Sequence, residues 1–180
     1  GTYSGVTGSS SCTLCPVGTY SDQTGNDAAS DCINCPAGTY INVAGSDDVS
    51  DCISCAAGTE SAAGSDDPSD CIDCGAGKYS TLDTGTCTKD NDPGVEVTNK
   101  DECDDGTDFV RSCITCDAGY WCGAGSDSAT KNACGLGSYA ATAGSSASSC
   151  IDCSAGTYSG VTGSSSCTLC PVGTYSDQTG

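Results

Sequence analysis

The chain has 180 residues, of which 18 are Cys, and its 24 Asp and Glu against five Lys and Arg give a formal net charge of −19. With one Phe, one Trp and no Met, it has too few large apolar side chains to build one hydrophobic core for its length. Because it has no basic patch to meet phosphates, we expect no nucleic-acid partner.

The cysteine content predicts an extracellular protein. One residue in ten is Cys, a level typical of disulfide scaffolds, and such disulfides persist outside the reducing cytosol. No apolar run approaches the roughly 20 residues of a membrane-spanning helix, so we expect no membrane span in these residues. We expect the acidic side chains to form a solvated surface that favours solubility.

A long repeat organises the chain. Residues 1–25 recur letter for letter as residues 156–180, at an offset of 155 residues. We therefore expect these residues to be part of a longer tandem array, one full period followed by the start of the next copy. Repetition without drift favours a protein that also repeats in space.

A shorter repeat of roughly 20 residues runs inside the long one, with the template C-x-x-G-[TKS]-Y, a polar stretch with a second Gly, and C-[IT]-x-C. It predicts nine segments in chain order. They are 1–14 (the end of a preceding unit), 15–34, 35–54, 55–73, 74–115 (with an insert at 88–112), 116–133, 134–152, 153–169 and 170–180 (the start of the next copy).

Every unit begins with a Cys that has Gly three positions later, which predicts a backbone site of positive φ. These glycines are Gly18, Gly38, Gly58, Gly77, Gly119, Gly137, Gly156 and Gly173. Tyr stands at the fifth position after this Cys in six units. In one unit Glu60 replaces it, and in another the Tyr is shifted by one position, to Tyr120 beside Trp121. We expect each ring to pack on a disulfide. We expect a second packing contact from the residue after the first Cys of the C-x-x-C pairs, namely Ile33, Ile53, Ile72, Ile114 and Ile151.

The Ser, Thr, Gly, Ala and Asp residues between these positions favour turns and short strands. The predicted fold class is therefore small and disulfide-rich, mostly irregular with short β-hairpins. We expect an elongated tandem-repeat rod with no single large core.

Tandem logic predicts the disulfides, because the second Cys of one C-x-x-C opens a loop that the first Cys of the next can close. The predicted pairs are Cys15–Cys32, Cys35–Cys52, Cys55–Cys71, Cys74–Cys87, Cys134–Cys150 and Cys153–Cys167. Pairing the remaining neighbours gives Cys103–Cys113 and Cys116–Cys122. Cys12 and Cys170 are expected to pair with cysteines of adjacent copies, since they are copies of Cys167 and Cys15.

Other cysteine chemistry fits less well. The C-x-x-C spacing also matches zinc ribbons, but each pair would have to be shared between two sites. A thioredoxin-like role needs a βαβ context that the sequence lacks. With no His, the usual base for a Ser or Cys nucleophile is missing, and the carboxylate pairs lie in polar turns, so we predict that the protein is not an enzyme.

We predict no cofactor, and we keep calcium binding as an alternative. Hard oxygen ligands cluster near Gly turns at Asp90, Asp92, Asp104 and Asp105, without matching an EF-hand loop. Composition and compartment also favour O-glycans on hydroxyl side chains. The candidate acceptors are Thr2, Ser9, Ser10, Ser11, Thr19, Thr39, Ser145, Ser146, Thr157, Ser164, Ser165, Ser166 and Thr174.

The units CPVGTYSDQTGNDAASDCINC and CPAGTYINVAGSDDVSDCISC resemble the ephrin-receptor-like cysteine-rich repeat, which is similar in style to tumour-necrosis-factor-receptor and growth-factor-receptor modules. The resemblance implies an extracellular receptor stalk or a structural coat, as in protist surface coats and flagellar hairs. Our first hypothesis is a structural, O-glycosylated filament or surface appendage that self-associates. The alternative is a receptor or adhesin ectodomain that binds a protein ligand. Phe109, Tyr120 and Trp121 are the candidate contacts, either lateral contacts within a fibre or contacts with a ligand.

Overall fold

The structure is a computed structural model that describes residues 1–81, 85–89, 92–97, 110–129, 132–146 and 149–180, with the backbone alone for 85–89, 92–97 and 110–111. Within these ranges the regular elements are very short strands and three 3₁₀ turns, and no α-helix forms. The expected fold class, small disulfide-closed hairpins in tandem without a large core, is confirmed. No helix in the described part of the chain has the length and apolar character needed to cross a bilayer.

The strands are numbered in chain order. They are β1 (Thr2–Tyr3), β2 (Thr13–Leu14), β3 (Thr19–Tyr20), β4 (Ile33–Asn34), β5 (Thr39–Tyr40), β6 (Ile53–Ser54), β7 (Thr59–Glu60), β8 (Ile72–Asp73), β9 (Lys78–Tyr79), β10 (Gly85–Lys89), β11 (Asp92–Val97), β12 (Val110–Arg111), β13 (Ile114–Thr115), β14 (Tyr120–Trp121), β15 (Asn132–Ala133), β16 (Ser138–Tyr139), β17 (Ile151–Asp152), β18 (Thr157–Tyr158) and β19 (Thr168–Leu169). The 3₁₀ turns span Ala29–Asp31, Val49–Asp51 and Pro68–Asp70.

Each module is one antiparallel hairpin with a constant register. In the first, Tyr20 of β3 lies opposite Ile33 of β4, so the aromatic position faces the residue that follows the first Cys of C-x-x-C. The same register joins β1 to β2, β5 to β6, β9 to β13, β14 to β15, β16 to β17 and β18 to β19. The strands β10, β11 and β12 form one three-stranded sheet between β9 and β13 in the chain.

The chain divides into two compact units. Unit 1 comprises Gly1–Ile72 and Leu82–Ser112, and unit 2 comprises Asp73–Thr81 and Cys113–Gly180. In both units the buried side chains are mostly cysteines and serines. The second Cys of each C-x-x-C, from Cys15 to Cys153, is at most 1% exposed, so the disulfides themselves take the place of a conventional core.

Candidate functional site

The first Gly of each module forms a tight turn. The amide of Thr19 donates to the carbonyl of Pro16 at 3.2 Å, and Gly18 between them has φ of 80°, the geometry of a type II turn. All eight of the glycines singled out in the sequence have positive φ. The predicted backbone role of this position is confirmed.

Consecutive modules are joined by backbone hydrogen bonds that recur at each junction. Between the Cys15 and Cys35 modules, Gly18 N–H donates to Ile41 C=O at 2.8 Å and Gly45 N–H donates to Cys15 C=O at 2.9 Å. Ser21 N–H donates to Ser46 C=O at 3.0 Å, and Cys35 N–H closes the hairpin onto Gly18 C=O at 2.9 Å. Because backbone groups supply all four bonds, the junction needs no side-chain hydrogen bond.

The same four bonds join the Cys35 and Cys55 modules in unit 1. In unit 2 they join the Cys74 and Cys116 modules, the Cys116 and Cys134 modules, and the Cys134 and Cys153 modules. We call this repeated pattern the backbone ladder. It tolerates the sequence differences between modules, since no module needs a particular side chain to bond to the next.

Glycine is also required by close approach between alternate modules. A Cβ built on Gly18 would lie 2.3 Å from the carbonyl oxygen of Gly64, two modules further on. In unit 2, a Cβ on Gly77 would lie 2.2 Å from the carbonyl oxygen of Gly144. No side chain fits between these backbones, so two glycines per module keep the stacked backbones in contact.

Six of the predicted cysteine pairs are disulfides in the structure. They are Cys15–Cys32, Cys35–Cys52, Cys55–Cys71, Cys116–Cys122, Cys134–Cys150 and Cys153–Cys167. Cys12 and Cys170 are unpaired in this chain.

Two predicted pairs, Cys74–Cys87 and Cys103–Cys113, are wrong. Cys74 bonds to Cys113 at a sequence separation of 39, because the hairpin of this module pairs Tyr79 with Ile114. The backbone register therefore brings Cys113 to Cys74 despite the long intervening segment. Cys113 begins a C-x-x-C pair whereas Cys87 does not, so strict use of the tandem rule would have found this pair.

The Cys116 module differs from the other modules at two neighbouring positions, Tyr120 and Trp121. Trp121, opposite Asn132, occupies the aromatic register, which corrects the expectation that Tyr120 fills it. Tyr120 instead covers the backbone of Gly163, since a Cβ there would lie 2.9 Å from the Cζ of Tyr120. Both side chains are half-buried. Phe109, the third candidate contact, lies outside the described residues.

The expected packing of the aromatic ring on a disulfide is found at Tyr20 but not at Tyr158 and Tyr175, which are 43% and 85% exposed. Tyr20 is buried against Cys35 and Ile41 of the next module, with Val49 and Cys52 packed at the edge. The isoleucines that follow the first Cys of each C-x-x-C were expected to supply a second packing contact, but they are 37% to 60% exposed. The exposed isoleucines are Ile33, Ile53, Ile72, Ile114 and Ile151.

Sequence reasoning missed two buried positions. The residue after the aromatic is buried in every module from Ser21 to Ser159, as Ser, Ile, Cys or Ala. The Ser after the second Gly is also buried at Ser46, Ser65, Ser126 and Ser145. The hydroxyl of Ser65 donates to Ala62 C=O at 2.8 Å. The recurring Gly-Ser dipeptide was the available signal, because a small side chain with its own turn partner can be buried at little cost.

The candidate glycan acceptors fall into distinct environments. Ser145 is buried and donates to Thr142 C=O at 2.9 Å, which removes it from the hydroxyls a modifying enzyme can reach. The hydroxyls after the turn Gly donate to the turn carbonyl three residues earlier, as Thr19 does to Pro16 at 2.7 Å. This pattern includes Thr39, Thr157 and Thr174. Ser10 and Ser165 are exposed.

The acidic side chains of unit 1 have structural roles as turn caps. Asp67 accepts from the amide of Ser69 at 2.8 Å, and from its hydroxyl, at the start of a 3₁₀ turn. The hydroxyl bond, and then the amide bond, lowers the pKa of Asp67, and Ser50 does the same for Asp48. Such capping explains why carboxylates recur in these turns.

The calcium candidates are not tested. Asp90, Asp104 and Asp105 lie outside the described residues, and Asp92 is described by its backbone in β11 alone. In the described part of the chain, no three His, Cys, Asp or Glu side chains are grouped to hold a metal ion.

Disulfide-closed hairpins in tandem define a cysteine-rich repeat protein of the extracellular type. A family profile described as tyrosine-protein kinase ephrin type A/B receptor-like matches residues 1–52 and 137–180, more than half of the chain. The chain therefore belongs to this family, and the resemblance drawn from the sequence is confirmed. A comparison with curated protein sequences finds no match.

Proposed function

We propose that the protein is a structural, non-enzymatic component of an extracellular filament or surface appendage. The observation that carries the proposal is the backbone ladder, together with the identical copies at residues 1–25 and 156–180. Thr2 pairs with Leu14 in the first copy just as Thr157 pairs with Leu169 in the second. A module joined to its neighbour by backbone bonds can be added repeatedly without designing a new interface.

The unpaired cysteines support continuation of the same pattern. Cys12 is the copy of Cys167, which bonds to Cys153, and Cys170 is the copy of Cys15, which bonds to Cys32. In consecutive copies, Cys12 would bond to the preceding copy's equivalent of Cys153, and Cys170 to the following copy's equivalent of Cys32. The disulfides would then cross every 155-residue boundary. O-glycans on exposed hydroxyls would cover the surface of the filament.

Electron microscopy of the native material, with image averaging along the axis, tests this proposal. We expect continuous filaments whose subunit period corresponds to one 155-residue copy, with extra density at exposed Ser and Thr side chains. Discrete particles without an axial repeat would contradict the filament.

A second candidate function is a receptor or adhesin ectodomain, favoured by the receptor description of the matched family. Identical repeats argue against it, because a ligand site requires one region to diverge from the others. Recovery of one stoichiometric protein ligand from the native material, without filaments, would favour this candidate.

A further inference from the structure

Two consecutive modules of unit 1 carry an equivalent open groove. The first, of about 350 Å³, has Val43 and Ile53 on its apolar side and Asp47 and Asp51 on its acidic side. The second, of about 660 Å³, has Ala62 and Ile72 on its apolar side and Glu60 and Asp70 on its acidic side. We call these the Asp51 groove and the Asp70 groove.

The apolar part of both grooves is open to solvent. Val43 is 62% exposed, Ile53 47% and Ile72 60%. The carboxylates beside them are held by the backbone: Asp70 Oδ2 accepts from the amides of Asp66 and Asp67 at 3.0 and 3.1 Å. Asp51 Oδ2 accepts from the equivalent amides at 3.2 and 3.4 Å. Each groove therefore combines an aliphatic surface with a negative charge in a set position.

The charged side chains of this part of the chain are all negative. Residues 1–72 contain ten Asp and Glu and no Lys or Arg, whereas residues 113–180 contain four acidic residues and one Lys. Ser149 stands in unit 2 where Asp51 and Asp70 stand in unit 1, directly before the Cys that closes the module. Its hydroxyl accepts from the amide of Ser146 at 3.1 Å, so a neutral side chain can cap the same turn.

We propose that the two grooves bind lysine side chains from an extended segment of a partner protein, one in each groove. The aliphatic stem would lie on Ile53 or Ile72, and the ammonium would meet Asp51 or Asp70. Lysine is favoured over arginine because one oxygen of each carboxylate already accepts two amide bonds. A guanidinium fork needs both oxygens, whereas a compact ammonium needs one.

The test is a fluorescence-anisotropy titration of the oxidised full chain with a labelled peptide that carries two lysines in a Gly-Ser background. The spacer between the lysines is varied, since two linked contacts bind best when the spacer matches the span. The test variant is Asp51→Ser/Asp70→Ser, because Ser149 shows that Ser caps this turn. Asp22→Ser/Asp177→Ser removes the same charge outside both grooves.

We expect the groove variant to weaken binding roughly threefold to thirtyfold, as for two exposed charge pairs, and the control variant to change it less than twofold. A peptide with diaminopropionate in place of lysine should also bind more weakly, because its short stem cannot cover the apolar surface. Equal losses in the two variants, or equal binding of the two peptides, would reduce the interaction to general charge attraction and overturn the proposal. So would unchanged binding to the groove variant.

Discussion

The Cys35 and Cys116 modules reach the same backbone arrangement with different cysteines. In the first, Cys35 bonds to Cys52 at a separation of 17, and the buried position after the aromatic is Ile41. In the second, the equivalent position is Cys122, which bonds to Cys116 at a separation of six. Lys131 stands three residues before Cys134, where other modules have the closing Cys.

Despite this exchange, the Cys116 module keeps the ladder. Gly119 N–H donates to Ala140 C=O at 2.9 Å, and Gly144 N–H donates to Cys116 C=O at 2.8 Å. The comparison teaches that the turn glycine and the backbone bonds define the module, whereas the disulfide can close it in more than one place. The disulfide then sets how much the unfolded chain is constrained.

Among the disulfides that the structure describes, the largest effect is expected from the one that closes the longest loop. Replacing both Cys74 and Cys113 by Ser should lower the free energy of unfolding by about 4 kcal/mol in the chain-entropy model, since the separation is 39 residues. Urea denaturation of the oxidised variant and the unmodified chain measures the difference. A loss below that of the shorter disulfides would show that loop length does not govern these bonds.

The disulfides of the Cys35 and Cys116 modules should differ in how much they stabilise the fold. The Cys35→Ser/Cys52→Ser variant should lose about 3 kcal/mol and the Cys116→Ser/Cys122→Ser variant about 2 kcal/mol, because their separations are 17 and six residues. Cys35, Cys116 and Cys122 are fully buried whereas Cys52 is half-buried, so burial favours the larger loss in the Cys116→Ser/Cys122→Ser variant and loop length favours the smaller one. The same denaturation experiment applies, and a reversed order would contradict the entropic account.

How far the sequence could lead is visible at particular residues. The turn conformation of Gly18 was predictable, because a Gly at one register among variable neighbours indicates positive φ. The Cys74–Cys113 bond was missed because nearness in sequence was preferred to hairpin register. The contact between Gly18 and Gly64 could not be read from the chain, since it depends on how alternate modules stack. The half-exposed isoleucines also required the structure, because apolar character does not determine which face of a two-residue strand is covered.

Two glycines with nearly equal dihedral angles separate stacking from turn strain. Gly18 and Gly25 have φ of 80° and 84°, but a Cβ at Gly18 would meet Gly64 C=O at 2.3 Å, and one at Gly25 would meet nothing within 4 Å. Gly25→Ala should therefore cost about 1 to 2 kcal/mol from the left-handed conformation alone. Gly18→Ala should cost about 1 to 3 kcal/mol more, because the module must move to admit the methyl group. Equal losses of stability for the two variants in thermal unfolding would show that the modules rearrange around the added methyl group without an energetic cost.

The smallest effect is expected at an exposed cap. Because the folded pKa of Asp67 is lowered from 3.8, its ionised form stabilises the folded chain above that pH. The contribution is lost as the pH falls through the lower folded pKa. Asn at this position can still accept the amide hydrogen bond of Ser69 but does not titrate. Asp67→Asn should therefore slightly reduce the loss of unfolding free energy at acidic pH. Urea midpoints measured between neutral and strongly acidic pH test this.

Ser149→Ala serves as the control, because it removes a neutral cap and should lower stability equally at every pH. A parallel shift for Asp67→Asn as well would mean that the carboxylate acts by its shape and not by its charge.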